Sequence, residues 1–437
     1  MIRWLFNTIY LLLLTLGLPW LLYRIVFLNK NRRGWPQRAL GNVPSQQHSG
    51  KSIWFHAVSV GEIQLLGPLV DQFRKQNPDV AIFISTTTES GFDVALKRFA
   101  EHQVFFCPFD FSWAVTRAFR RIQPSALVLV ELELWPNMLL AAEQMHVPVM
   151  VVNGRLSDRS LQRYQMFLPL IRSMLKRVRL IAAQSSEYAE RFRRLGANVQ
   201  SVFNSGNIKF DGAFNPGHEE VGKKLKSVFR IAEEDFCFVA GSTQPEEDTM
   251  SIAAYQALQS EYPQLKLVVV PRHMSNLDSL FQKLDKAGLR YVKRSQVKSR
   301  EVETLPNAIV VDVMGELGAW WSLANFAYVG GSQGNRGGQN MIEPAATAIP
   351  VSFGPRTENF RDVVNMLLQN KAASVVHDSS ELTQLLQLAL ENDAETIAMG
   401  KRAYQVVFTQ QGATMRTCNE ISRLIGSIPV SAARTAA

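Results

Sequence analysis

The sequence predicts an α/β protein made of two Rossmann-like domains that face each other across a cleft. Short apolar segments alternate with amphipathic helical segments from residue 53 onwards. A stretch rich in Gly and Pro, residues 204–222, interrupts this alternation, which then restarts. Polar and glycine-containing motifs follow many of the apolar segments, where open parallel sheets bind ligands. Strands that alternate with helices build right-handed βαβ units and therefore parallel sheets.

The composition limits the class of protein. The chain has 437 residues, of which 46% are hydrophobic and 19% charged, so it is long enough for two domains and too apolar to be disordered. The net charge of +9 favours anionic partners such as phospholipid, a phosphorylated substrate or nucleic acid. No basic stretch interleaved with aromatic residues supports nucleic-acid binding. The three cysteines have neither zinc-site nor disulfide-framework spacing.

The N-terminus predicts a membrane anchor. Residues 4–23 carry no charge and are long enough, as a helix, to cross a bilayer core of about 30 Å. Basic residues follow this segment, which places the rest of the chain on the cytoplasmic face. A cleaved signal peptide is disfavoured because its basic residues should precede the apolar segment. Asn7, Gly17 and Pro19 weaken a membrane span, so an interfacial anchor stays an alternative.

We therefore predict five regions: a membrane anchor (1–30), a basic linker (31–51), a first domain (52–212), a second domain (213–425) and a tail (426–437). Predicted strands cover residues 53–58, 80–85, 104–107, 126–130, 147–152, 180–183 and 199–203 in the first domain. In the second they cover 236–240, 265–270, 308–311, 327–329 and 351–353. A long helix is expected from residue 394, with a return to the first domain.

The most informative stretch contains two glycine pairs, Gly330-Gly331 and Gly337-Gly338, before a predicted helix at 340–347. Glycines let the backbone approach a ligand closely, and free N–H groups at a helix start attract phosphate. Glu343, one turn into this helix, is placed to accept hydrogen bonds from a sugar hydroxyl pair. The alternative is a tight turn followed by a glutamate that the helix dipole favours.

Glu62 follows the first predicted strand and has two interpretations. Ser59 and Glu62 have the spacing of a capping box, in which each side chain satisfies a backbone N–H of the other residue. The functional interpretation is a carboxylate at the mouth of the cleft that acts as general base on a sugar hydroxyl. The spacing alone does not decide between them.

Further polar residues follow other strands. Glu131 and Glu133 should point to opposite sides of a continuing strand and so not share a metal, and Arg155 could bind an anionic acceptor. Lys209, near the domain boundary, and Arg272 could neutralise phosphate, and Thr243 could donate a hydroxyl. The sequence contains no P-loop motif and no Asp-x-Asp pair. A bound nucleotide would then be neutralised without metal.

Together these motifs resemble the 3-deoxy-D-manno-octulosonic acid (Kdo) transferases of lipopolysaccharide assembly, which move Kdo from CMP-Kdo to lipid A precursors. The likeness covers residues 53–363 and rests on Ser59-Val60-Gly61-Glu62, Glu131-Leu132-Glu133-Leu134-Trp135-Pro136-Asn137, Gly206-Asn207-Ile208-Lys209, Pro271-Arg272-His273, Met314-Gly315-Glu316-Leu317, and Gly337-Gly338-Gln339-Asn340 with Glu343-Pro344. It implies the B-type glycosyltransferase fold and an anchor on the cytoplasmic face of the inner membrane.

The resemblance also implies residue roles. Glu62 is the general base of an inverting transfer, and Glu131 and Arg155 lie on the acceptor side. The CMP and donor side comprises Lys209, Ser242, Thr243, Arg272, His273, Met314, Gly315, Glu316, Gly337, Gly338, Asn340 and Glu343. No metal or cofactor is implied. Gln339 stands where the family usually has His, and it cannot carry a proton.

Three other functions are weighed against this one. They are a related glycosyltransferase that uses a UDP-sugar, a non-catalytic membrane scaffold with the same fold, and a nucleic-acid-binding protein. The charge pattern does not exclude UDP-sugars. The presence of Glu62, Lys209 and Arg272 argues against a scaffold.

Overall fold

The computed structural model describes residues 3–4, 6–12, 15–17, 33–47, 50–213, 216–297 and 307–427. The last part of the predicted anchor and nearly all of the tail lie outside these residues. The chain divides into two compact units, Met1–Asp211 with Gln411–Ala437, and Gly212–Gln410. Each unit is described by itself below.

The first unit is built on a parallel sheet. Its strands are β1 (Ser52–His56), β2 (Ala81–Thr86), β3 (Gln103–Phe106), β4 (Ala126–Val130), β5 (Val149–Gly154), β6 (Val178–Ala183) and β7 (Val202–Asn204). The helices of this unit that precede the second unit in the chain are α1 (Trp35–Leu40), α2 (Val60–Gln76), α3 (Glu89–Arg98), α4 (Ser112–Ile122), α5 (Pro136–Gln144), α6 (Asp158–Gln165), α7 (Leu168–Leu175) and α8 (Ser186–Arg194). The strand order β3-β2-β1-β4-β5-β6-β7 places the topological switch point between β1 and β4.

The second unit repeats this plan. Its helices are α9 (Pro216–Val228), α10 (Pro245–Leu258), α11 (Leu277–Lys286), α12 (Leu317–Trp321), α13 (Ile342–Ala345), α14 (Arg361–Gln369), α15 (Ser379–Leu390) and α16 (Ala394–Thr409). Its strands are β8 (Phe236–Thr243), β9 (Leu265–Pro271), β10 (Tyr291–Lys293), β11 (Ala308–Val310), β12 (Phe326–Val329), β13 (Val351–Phe353) and β14 (Ser374–Val375). The order β10-β11-β9-β8-β12-β13-β14 puts the switch point between β8 and β12.

Both faces of the first sheet are covered, as expected for a parallel sheet. Ile53 and Phe55 of β1 are buried in one apolar core, while Trp54 between them is buried in the core on the other face. In the second unit, Phe238 and Tyr328 belong to a corresponding core. The near-continuous apolar strands of the sequence are thus explained by burial on two sides.

The sequence-based assignment placed residues 213–425 in the second domain, whereas the last helix of the structure belongs to the first unit. The expected long terminal helix is divided into α16 and α17 (Ala413–Gly426) by Gly412, whose φ is 86°. Cys418, Ile421 and Ile425 of α17 are buried in the core that contains β1. Gln76 at the end of α2 also donates a hydrogen bond to Asn419 at 2.9 Å.

Candidate active site

Glu62 lies at the start of α2, directly after the switch-point strand β1. One carboxylate oxygen accepts the backbone N–H of Val58 at 2.8 Å, and the other accepts the Ser59 hydroxyl at 2.9 Å. Ser59 is the N-cap of the helix. The Ser59 hydroxyl accepts the N–H of Glu62 at 3.4 Å, which is one of the two bonds of the predicted capping box, whereas the Glu62 carboxylate bonds to the N–H of Val58 instead of that of Ser59. Burial raises the pKa of Glu62, and nearby Glu131 adds to this, while the bonds from Val58 and Ser59 oppose it.

Two further carboxylates follow β4, on the other side of the switch point. Glu131 adopts a left-handed conformation with φ 60°, an uncommon backbone for a residue with a side chain. Burial raises the pKa of Glu133 to about 7, with further contributions from Glu62 and Glu131. The prediction that Glu131 and Glu133 point to opposite sides applied to a continuing strand, whereas β4 ends at Val130. The charge of Glu131 raises the pKa of Glu62, and the charge of Glu62 raises the pKa of Glu133. The first unit therefore holds three carboxylates on the segments that follow β1 and β4, the two strands of its switch point.

Asn153 at the end of β5 holds the segment that contains Lys209. Its backbone is left-handed, with φ 53°, and its side-chain oxygen accepts the N–H of Ile208 at 3.0 Å. Gln184 donates to the Asn153 carbonyl at 2.9 Å and accepts from Asn207 at 3.2 Å. Lys209 thereby has a fixed backbone position in the first unit. Arg155 is half-buried directly after β5.

In the second unit, a buried carboxylate organises the first glycine pair. Glu247 in the first turn of α10 is fully buried. Its oxygens accept the backbone N–H groups of Gln244 at 2.8 Å, Gly331 at 2.7 Å, Ser332 at 2.8 Å and Gln333 at 3.0 Å, and the Tyr328 hydroxyl at 3.2 Å. Glu247 is not among the residues predicted from the sequence, although the spacing of Gln244 and Glu247 is that of a capping box.

This network changes how the glycine stretch can bind a ligand. Three successive N–H groups that would form an anion-binding turn are already used by Glu247. The backbone of Gly331, Ser332 and Gln333 is thus bound to a side chain of this protein, whereas the phosphate was predicted at the helix start near Asn340. Gly338 also donates its N–H to the Gly331 carbonyl at 2.7 Å, so the two glycine pairs are joined to each other.

The helix after the glycines is shorter than predicted. We expected residues 340–347, whereas α13 contains only Ile342–Ala345, so its dipole is small. The Asn340 side chain accepts the N–H of Ile342 at 3.1 Å and donates to Glu343 at 2.8 Å. Gly337 and Gly338 have φ values of 77° and 81°, which explains the second glycine pair.

Glu343 lines a cavity of about 590 Å³ within the second unit. The wall also contains His218 and Lys223 of α9, Gly318 and Tyr404. Burial raises the pKa of Glu343, and the bond from Asn340 and the charge of His218 oppose this. A Cβ atom on Gly318 would lie 2.2 Å from the His218 ring, so only glycine lets the imidazole occupy this place. His218 is not part of any sequence motif, so its place in the cavity wall could not be predicted.

The other donor-side candidates differ in exposure. Arg272 and His273 are exposed after β9, and Met314 is 84% exposed. Ser242 is left-handed, with φ 57°, as is Gly315, with φ 89°. Glu316 forms a two-bond ion pair with Arg294, at 2.8 and 2.9 Å. Thr243 is fully buried, so its hydroxyl does not face a ligand in this conformation.

Within the described ranges, no group of three or more His, Cys, Asp or Glu side chains is arranged to hold a metal ion. A general base is the chemistry that a half-buried carboxylate with a raised pKa can supply.

The N-terminal segment, the described residues between 3 and 17, is helical and joins the first unit through polar contacts. The Asn7 amide donates to the Ser112 hydroxyl at 2.7 Å, and the Tyr10 hydroxyl donates to Asp110 at 2.9 Å. Asp110 also accepts the N–H groups of Asn137 and Met138 at the start of α5. Among the described residues, no helix has the length and apolar character that crossing a membrane requires.

Two parallel sheets of Rossmann type, with carboxylates at one switch point and a cavity of about 590 Å³ beside Glu343, place the protein in the class of doubly wound α/β proteins, whose ligands bind at such switch points. A family model described as 3-deoxy-D-manno-octulosonic-acid transferase (kdotransferase) matches residues 31–212. The chain is 31% identical over 373 residues to the 3-deoxy-D-manno-octulosonic acid transferase of Haemophilus influenzae, covering 84% of this chain and 85% of that protein. It is 33% identical over 388 residues to the same-named protein of Bordetella pertussis, covering 86% and 87%.

The chain therefore belongs to the 3-deoxy-D-manno-octulosonic acid transferase family, and the resemblance drawn from its motifs is confirmed. Members of this family are glycosyltransferases. The fold is also similar to that of UDP-GlcNAc 2-epimerase from Neisseria meningitidis bound to UDP-GlcNAc, with a TM-score of 0.58 and 12% identity, covering 85% of this chain and all of that one. At this identity the likeness concerns the fold alone.

Proposed function

We propose that this transferase moves Kdo from CMP-Kdo to a lipid A precursor with inversion, and that Glu62 is the general base. The observation that carries the proposal is the place of Glu62 in a member of the Kdo transferase family. It follows the switch-point strand of the first unit, and burial raises its pKa toward the range in which a carboxylate can take a proton.

In this mechanism a hydroxyl of the acceptor sugar attacks the anomeric carbon of Kdo. The bond from that carbon to the phosphate oxygen breaks, and CMP leaves with the electron pair. The hydroxyl proton passes to the Glu62 carboxylate. Both Glu62 oxygens accept hydrogen bonds in the structure, so the Ser59 hydroxyl must release one of them, or share it, as the acceptor hydroxyl binds.

The donor-side assignments rest on chemistry and placement. Arg272 is exposed directly after β9, and its guanidinium suits bidentate binding of the CMP phosphate. Lys209 is proposed to neutralise the charge of the same phosphate. Glu343, on the wall of the 590 Å³ cavity, suits the ribose hydroxyls. Asn340 donates a hydrogen bond to Glu343 at 2.8 Å, and Gly337 and Gly338, both left-handed, precede this pair in the chain.

The N-terminal segment is proposed to attach the enzyme to the cytoplasmic face of the inner membrane. Asn7 and Tyr10 are hydrogen-bonded to Ser112 and Asp110 of the first unit. These hydrogen bonds favour a helix that lies at the membrane–water interface over a helix that spans the bilayer core. Trp4, Leu12 and Leu16 are exposed on this segment and supply the apolar contact.

The deciding experiment is transfer with purified full-length protein in detergent, using CMP-Kdo or UDP-sugars with a lipid A precursor. We expect transfer with CMP-Kdo as the donor and none with the UDP-sugars. Activity with a UDP-sugar and none with CMP-Kdo would favour the related glycosyltransferase. Stabilisation by CMP without transfer from any donor would favour the scaffold.

A further inference from the structure

An arginine-lined pocket in the first unit is not used by the proposed transfer reaction. It has a volume of about 460 Å³ and is lined by Arg3, Ser112, Trp113, Thr116, Arg117 and Arg120. Thus three guanidinium groups and two hydroxyl groups surround it, and no carboxylate is part of the described lining. A cavity of this size accepts a phosphate group with part of the molecule that carries it.

Helix geometry brings the α4 residues of this pocket together. Trp113, Thr116, Arg117 and Arg120 have the spacing i, i+3, i+4 and i+7, which puts them on one face of the helix. The opposite face, with Val115, Ala118, Phe119 and Ile122, is buried in the core. The arginines are therefore displayed by a rigid element rather than by a loop. Two like charges at this spacing repel each other unless an anion lies between them.

Arg3 completes the pocket from the N-terminal segment. Its Nε and one terminal nitrogen are buried and donate to no acceptor among the described residues. Buried donors without a partner cost free energy, which a bound anion would recover. Asp110 acts electrostatically on Arg3, but its oxygens accept hydrogen bonds from Tyr10, Asn137 and Met138 instead. The segment is fixed in place by Asn7, which also accepts the N–H of Ser112 at 3.0 Å.

We propose that Arg3, Arg117 and Arg120 bind the phosphate headgroup of an anionic membrane lipid. Guanidinium groups recognise phosphate oxygens through paired, charge-assisted hydrogen bonds. The lipid is favoured over free phosphate because the same pocket contains Trp113, which is 46% exposed, and because the N-terminal segment exposes Trp4 beside Arg3. Tryptophan at the level of lipid headgroups is a common membrane-interface feature. This choice of source rests on the proposed membrane attachment.

The test is calorimetric titration of full-length protein in an uncharged detergent with dihexanoyl phosphatidic acid. Arg117→Gln with Arg120→Gln should weaken binding at least about tenfold, since a hydrogen bond between charged groups contributes about 1.5–3 kcal/mol. Arg179→Gln with Arg194→Gln is the matched control, because both residues are exposed on the first unit and lie outside the pocket. The control should bind as the wild type does, and melting curves verify folding.

Each alternative result has a defined meaning. Equal weakening in the control pair would show that general surface charge, not this pocket, attracts the lipid, and would overturn the proposal. Equal affinity for dihexanoyl phosphatidylcholine would show that the phosphate is not recognised. Inorganic phosphate binding as tightly as the lipid would reject the lipid source. Kdo transfer is not part of the measurement, so failure of the proposed function would appear separately.

Discussion

The Glu247 carboxylate accepts the backbone N–H of Gly331 at 2.7 Å, and this contact joins α10 to the glycine turn after β12. The two residues lie on the two strand-end segments that flank the switch point of the second unit. A buried carboxylate thereby takes the place that a bound phosphate has in other glycine-rich turns. It fixes the turn from which Gly337, Gly338 and Glu343 follow.

We expect Glu247→Gln to lower the free energy of unfolding by about 2–4 kcal/mol, because an amide group would then face N–H donors that need an acceptor. Denaturant unfolding measures this change. Glu246→Gln is the control, since Glu246 is exposed one residue away. If the two variants are equally stable, the hydrogen bonds to Glu247 do not stabilise the turn.

Glu133 predicts a pH dependence of stability. Its pKa in the folded protein is raised from 4.5 to about 7, so the folded state holds a proton that the unfolded state has lost. Stability then falls as the pH rises from about 4.5 through 7. Glu133→Gln should be more stable than the wild type at pH 8 by roughly 1–2 kcal/mol, after allowance for solvent screening, and equal to it at pH 4.

Unfolding curves at the two pH values measure the effect of Glu133. Glu101→Gln, at an exposed position in the same unit, should show no such difference between them. A Glu133→Gln protein with the same gain at both pH values would mean that packing, not ionisation, explains its stability.

The carboxylate cluster shows how far the sequence determines a site. The strand-end positions of Glu62, Glu131 and Arg272 follow from alternating apolar segments, so they could be predicted. The effect of the Glu62 charge on the pKa of Glu133 could not be predicted, because β4 ends at Val130 and Glu131 is left-handed, so the alternation of a strand does not apply to these residues. The buried position of Glu247 could not be predicted either, because a glutamate in the first turn of a helix ordinarily faces solvent.

The fold shows the same limit. Most strands agree with their apolar segments to within a few residues, whereas the short strands β10 and β14, of three and two residues, carry too little pattern to be predicted. Membership of α17 in the first unit depends on long-range packing against α2. The sequence predicts a terminal helix that returns to the first domain, but not the break at Gly412 that leaves α16 in the second unit.

For the donor, we expect Arg272→Ala to weaken CMP binding about 10- to 100-fold, which corresponds to about 1.5–3 kcal/mol for a charge-assisted hydrogen bond. Calorimetric titration with CMP measures the affinity. Arg290→Ala is the control, since Arg290 is exposed in the same unit. EDTA should leave CMP binding intact. Unchanged affinity in Arg272→Ala would remove this residue from the donor site.

For the membrane, an interfacial N-terminal segment predicts that alkaline carbonate releases the full-length protein from membranes, whereas a spanning helix would keep it there. Deleting residues 1–30 should release much of the protein without carbonate. Basic and apolar surface patches could retain a remainder, which salt should remove. A full-length protein found wholly in the soluble fraction at low salt would contradict membrane attachment.

Glu62 allows the sharpest test, because its two interpretations predict opposite results. As general base it contributes 10²–10⁴-fold to the rate, so Glu62→Gln should lower Kdo transfer by at least about 10² while CMP affinity and folding persist. As a capping residue only, its replacement should lower stability by up to about 1 kcal/mol and leave turnover intact. Ser59→Ala removes the N-cap hydroxyl but keeps the Glu62 carboxylate, and so separates the two effects. Transfer and melting curves measured on both variants decide the assignment. The base role requires that Ser59→Ala loses stability yet keeps far more activity than Glu62→Gln.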